Sequence, residues 1–171
     1  MTASSGSVFT AAQFNSSVRD NLNAGNVVTQ SGQVVVSTGA NAVTARQPAS
    51  AAFARSETTA SASFTDLATP GPALTAVTGG QAIVIISAQI DNTSSSAAGS
   101  ASYAVSGATT VAASNAVRIA RDGLNANNPA RFSSVSMQAA LNAGSNTFTM
   151  KYVAGSGLAK FSMREITVFP L

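Results

Sequence analysis

The sequence predicts an all-β fold: an antiparallel β-sandwich, jelly-roll-like, behind a short N-terminal helix and an extended arm. Three observations predict it. From about residue 51 onward, short β-type runs are separated by Pro70-Gly71, Gly79-Gly80, Asn127-Asn128-Pro129 and Gly155-Ser156-Gly157, the punctuation of a sandwich or barrel. Phe148, Met150 and Tyr152 alternate with Thr147, Thr149 and Lys151, the period of a half-buried strand. Helical periodicity is confined to a stretch near the start.

That stretch opens at Thr10, a good N-cap, with Gln13 three residues on to complete a capping box. Phe9 and Phe14 bracket the box as a hydrophobic staple. Phe14, Val18 and Leu22 then recur at intervals of four to give one apolar stripe, and Gly25 is placed to end the helix. So short a helix is marginal alone in water, so its stripe has to dock on its own domain, on sister copies or on a larger assembly. Residues 26–48 follow as an arm or small β-ribbon: Val27-Val28 and Val34-Val35-Val36 are β-type runs, Thr38-Gly39-Ala40-Asn41 reads as a turn, and Pro48 closes the segment. The expected division is therefore an anchor over 1–48 and a displayed β-sandwich over 49–171.

Within the sandwich, strands are expected at 51–57, 60–66, 72–78, 81–91, 100–106, 115–121, 130–139, 146–153 and 158–169. Ile83-Val84-Ile85-Ile86 is apolar in both phases, so its strand belongs at the centre of a sheet or under a cover. In the last strand Phe161 and Met163 share one phase while Ile166 and Val168 take the other. A bulge near Arg164-Glu165 reconciles them.

Composition narrows function. The 171 residues include no His, no Cys and no Trp, and 9% are charged, against about 25% in ordinary domains. The usual general bases, nucleophiles and metal ligands are thus nearly absent, and no enzymatic activity, cofactor or metal site is expected. The carboxylates are Asp20, Glu57, Asp66, Asp91, Asp122 and Glu165. Asp91 and Asp122 read as turn residues satisfying backbone donors, and neither a catalytic pair nor a calcium loop emerges. Tyr103 and Tyr152 fall in phase with apolar neighbours, which places them in a core or an interface and not on a sugar platform. The net charge of +3 comes from arginines scattered singly, with no basic run for nucleic acid. No secretory leader is expected, and Ile83–Ile86 falls far short of the ~20 residues of a membrane span.

One resemblance adds to this. Residues 9–23 read Phe-Thr-Ala-Ala-Gln-Phe-Asn-Ser-Ser-Val-Arg-Asp-Asn-Leu-Asn, similar to the segment that opens many structural proteins of tailed bacteriophages. Residues 38–46, Thr-Gly-Ala-Asn-Ala-Val-Thr-Ala-Arg, resemble the stretch that follows it in fibre-like and minor tail proteins. Ser63 to Leu67, Val105 to Thr110 and Ala143 to Phe148 are similar to β-rich end domains of such proteins. The resemblance implies a virion structural protein made in the host bacterial cytoplasm and assembled as a homotrimer. Its assembly and anchor residues would be Phe9, Phe14, Val18, Arg19 and Leu22, and its partners identical copies and a tail or major capsid protein. A minor tail or short fibre component is the leading expectation. Longer relatives carry fibre repeats between arm and end domain and this chain has none, so a head decoration protein is the alternative. A module binding host-surface glycan is the third reading.

Overall fold

The computed structural model describes residues 8, 10–15, 27–40, 42–93, 98–121 and 128–171. The chain divides into two compact units, Met1–Ala45 and Arg46–Leu171. In the first, α1 (Ala11–Phe14) begins on the Thr10 cap, and strands β1 (Val34–Gly39) and β2 (Ala42–Arg46) form a two-stranded sheet. Of the turn expected at residues 38–41, Thr38 and Gly39 belong to β1, Ala40 is a turn residue, and Asn41 lies outside the described residues. Val27-Val28 is not a strand.

The second unit is an antiparallel β-sandwich. Its strands are β3 (Ala49–Phe53), β4 (Glu57–Thr59), β5 (Ala73–Thr78), β6 (Ala82–Asn92), β7 (Ala98–Gly107), β8 (Ile119–Arg121), β9 (Ala130–Gln138), β10 (Gly144–Ser156) and β11 (Ala159–Pro170). One sheet has the order β5-β10-β7-β8, the other β3-β11-β6-β9 with β4 also paired to β11. With β3 as first strand and β4 set aside, the sheets run first-eighth-third-sixth and second-seventh-fourth-fifth. That interleaving is a jelly roll, two Greek keys wrapped on one core.

The core lies between the sheets, built by period-two alternation. Val84, Ile86, Ala88 and Ile90 of β6, Phe148, Met150 and Tyr152 of β10, and Phe161, Ile166 and Val168 of β11 are all buried. As its two apolar phases require, β6 is central, flanked by β11 and β9. Gly99 of β7 sits where the sheets come close: a Cβ there would lie 2.9 Å from the Ala159 Cβ and 3.0 Å from Ile90. Gly107, at φ +106, ends β7 where a Cβ would meet the Ser145 carbonyl at 2.5 Å.

The bulge in β11 is present, as a register shift between Ser162 and Glu165 against β6. Its consequences depart from expectation in two ways. Met163, at φ +47, is 48% exposed, and Arg164 takes the inward place with no exposure at all. The partner edge breaks at the same level: β3 pairs with β11 from Arg164 onward and β4 pairs with 159–161, so the strand expected at 51–57 becomes two.

The strand expected at 60–66 is reduced to one bridge, Thr65 to Tyr152. Side chains there take the backbone groups a ladder would use. Thr59 Oγ1 accepts from the Ser61 N–H at 3.1 Å, and Ser61 Oγ both accepts from the Ser63 N–H at 3.2 Å and donates to its carbonyl at 2.7 Å. Short hydroxyl side chains compete with sheet pairing in this way. Over 115–121 a 3₁₀ turn at Asn115–Val117 precedes β8, which is only three residues long.

Candidate functional site

At the anchor, the local chemistry of the cap is in place. The Gln13 N–H donates to Thr10 Oγ1 at 3.1 Å and the Thr10 N–H to Gln13 Oε1 at 3.0 Å. Each satisfies a backbone donor that a helix start leaves open. Phe14 is 57% exposed. Phe9, Val18, Arg19 and Leu22, like Asp20 and Asp122, lie outside the described residues.

The described carboxylates each face a cation. Asp66 accepts from Lys151 Nζ at 2.7 Å, Glu165 from Arg131 at 2.9 Å, and Asp91 lies 3.7 Å from Lys160. Asp91 is not a turn residue: it is buried within β6. Among the described residues no three of His, Cys, Asp and Glu gather as metal ligands, and no helix is long and apolar enough to cross a membrane. Tyr103 and Tyr152 are both core residues, 1% and 0% exposed. Burial pushes the Tyr103 hydroxyl pKa up.

Sequence reasoning missed the most elaborate polar cluster. Arg164 lies over two aromatic rings, its guanidinium carbon 5.6 Å from the centre of Phe53 and 5.5 Å from that of Tyr152. It lies 3.3 Å from Glu57 and donates to the carbonyls of Thr69, Gly71 and Arg55 at 3.3–3.4 Å. Glu57 in turn accepts from Thr69, 2.6 Å from the hydroxyl and 3.1 Å from the N–H, and lies 3.6 Å from Arg55. The Thr69 hydroxyl bond is the largest influence holding the Glu57 carboxyl below its ordinary pKa; burial opposes it, and Arg164 and Arg55 reinforce it. The Tyr152 hydroxyl also donates to the Gly71 carbonyl, at 2.9 Å. The cluster ties β4, β10, β11 and the 60–72 segment together, a structural role that offers no free reactive group. The signal in the sequence was the phase change of the last strand, which located the bulge but not the direction of its arginine.

The outward face of the β3-β11-β6-β9 sheet carries exposed apolar side chains. Strand pairing lays it out in rows: Phe169–Ile83–Met137, then Thr167–Ile85–Val135, then Glu165–Ser87–Ser133. Val135 is 68% exposed and Met137 53%. From the next row Arg131 reaches back, Nη2 donating to Ser87 Oγ at 3.0 Å and to Glu165 at 2.9 Å. An open depression of about 280 Å³ lies along this face, lined by Ile85, Ser87, Arg131, Ser133, Glu165 and Thr167.

No family model and no curated protein sequence matches the chain. Among solved structures, it is similar to one described as "Structure of infectious bursal disease virus Gx strain", with a TM-score of 0.39 and 12% identity. That match covers 78% of this chain and 39% of that one, so the chain spans well under half of its neighbour's length.

Proposed function

We propose that this chain is a non-enzymatic structural protein of a tailed-phage virion, a surface β-domain attached to the particle by its N-terminal segment. The observation that carries the reading is residues 9–23: their resemblance to the opening of phage structural proteins coincides with a formed Thr10–Gln13 capping box followed by a Phe14 that is more than half exposed. The jelly roll supports it, since that architecture recurs in viral capsid and lectin domains, although a fold alone does not fix a function. Paired carboxylates and a chain without histidine or cysteine support a binding and packing role over a catalytic one.

The finer assignment is a minor tail or short fibre component, with identical copies and a tail protein as partners. Head decoration is the second reading, favoured by the absence of fibre repeats between arm and β-domain. A host-glycan-binding module lacks a tyrosine platform, because both tyrosines are in the core. The deciding experiment is the ratio of this protein to the major capsid protein in gradient-purified particles, by quantitative mass spectrometry. A few copies per particle are expected for a tail component and hundreds for decoration; absence from the particle overturns both.

A further inference from the structure

We propose that the open edge of β9 pairs with the β9 of a second copy, antiparallel, about a twofold axis through Ser134. The inference goes beyond the reading above, because it concerns the β-unit alone and holds or fails independently of the virion.

A sheet edge is a row of open backbone donors and acceptors, and proteins guard it with short strands, breaks, bulges, proline or charge. Among the described residues, three edges of the sandwich are short or broken. β8 has three residues, β5 has six, and the β3 side is interrupted where β4 takes over. β9 has nine, in unbroken register with β6 and without proline or lysine. The phase of its bonds follows from its neighbours. Bonded and non-bonded pairs alternate along an antiparallel ladder, and the Leu171 N–H donates to the Gln81 carbonyl at 2.9 Å. Odd-numbered residues such as Ile83 and Ile85 therefore bond β11, and Pro170, which has no N–H, falls opposite Ala82 in a non-bonded pair. The even-numbered residues of β6 bond the even-numbered residues of β9. Arg131, Ser133, Val135 and Met137 are left with N–H and C=O turned outward, and no described backbone group pairs with them.

Such an edge is its own complement, because a twofold axis normal to the sheet brings the same row to it antiparallel, as an isologous contact needs. An axis through Ser134 sets Ser133 opposite Val135 of the second copy and Arg131 opposite Met137. All four outward residues are then paired, in about eight backbone hydrogen bonds. Centring the axis on Ser133 or Val135 would leave Met137 or Arg131 beyond the end of the partner strand. The chosen register also keeps the two Arg131 side chains at opposite ends, so no like charges face each other. Val135 and Met137 are 68% and 53% exposed; pairing covers Val135 with Ser133 of the second copy and Met137 with the aliphatic stem of its Arg131.

The test uses the full chain in solution, with mass by analytical ultracentrifugation up to millimolar concentration and fold by circular dichroism. The wild type is expected to be a dimer. Val135→Pro removes an N–H that points away from β6, a place where an edge strand tolerates proline, and should stay folded while self-association weakens at least about tenfold. Cross-linking reads the register, since the chain has no cysteine of its own. Ser134 faces itself in a non-bonded pair, with Cα atoms about 4.5 Å apart, within the reach of a disulfide. Ser134→Cys should therefore form a disulfide between copies on mild oxidation, and Met137→Cys, set far from its own copy, should not. If Val135→Pro fails to fold, the cysteine variants decide. A wild type that stays monomeric or forms a trimer overturns the proposal, as does a folded Val135→Pro that associates as tightly as the wild type, or a Met137→Cys that cross-links as fast as Ser134→Cys. Incorporation into particles is a separate measurement, so failure here leaves attachment to the virion standing.

Discussion

Arg164 shows how a single residue can decide the architecture around it. Arginine is almost never fully buried unless paired, and here it is held by Glu57, three carbonyls and two rings. Removing one partner of such a pair leaves an uncompensated charge, at a cost of about 3–5 kcal/mol, whereas replacing both with neutral groups of similar shape is often near neutral. Arg164→Met alone should therefore lower the urea midpoint sharply, and Arg164→Met with Glu57→Gln should recover most of the loss. The same pair sets acid stability. Because the folded Glu57 pKa is depressed, its contribution is complete above its ordinary value near 4.5 and drains away as pH falls through the lower folded value. Urea unfolding from pH 7 to pH 2 should show this acid slope, and Glu57→Gln should flatten it; an unchanged slope would assign the acid sensitivity to other carboxylates.

Among the elements, β11 is the one on which the others depend. It joins β3 and β4 to β6 and brings Phe161, Ile166 and Val168 into the core, each about 1.5–3 kcal/mol of burial. Phe161→Ala should cost about 3–5 kcal/mol, read by denaturant titration, while Met163→Ala, at the exposed crest of the bulge, should change stability by less than about 0.5 kcal/mol. A chain ending before residue 158 should not fold cooperatively; a melt close to the full-length one would remove β11 from the core. Much of this was legible. Alternation in 148–152 located a strand and its buried face, and the phase change in 161–168 demanded a bulge. What the residues did not disclose was long-range pairing. Nothing local to Arg164 names Glu57 as its partner, nor marks Asn146 as a buried hub donating to Thr78 Oγ1 and accepting from the Thr109 N–H. The 60–66 segment misled because Phe64 and Thr65 favour strands, yet here the hydroxyls of Thr59 and Ser61 capture the backbone.

At the scale of the whole molecule, the N-terminal segment that carries the phage-like motif falls in a different compact unit from the β-sandwich. Among the described residues, the buried apolar cluster of the unit from Arg46 onward begins at Leu67, with Ala51 packed against it. The capping box fixes where the helix starts, and a helix of this length persists only where its stripe is docked. We therefore expect Val18→Ala with Leu22→Ala to act on attachment and not on the fold. Truncating buried aliphatic contacts costs about 2–5 kcal/mol for each leucine, enough to empty a site that binds one copy at a time. Gradient-purified particles should lose the double variant, while the free protein keeps the wild-type melting temperature to within a few degrees. A double variant that melts far lower yet incorporates normally would show that the stripe packs at home, and the attachment role would then have to pass from the helix to the arm.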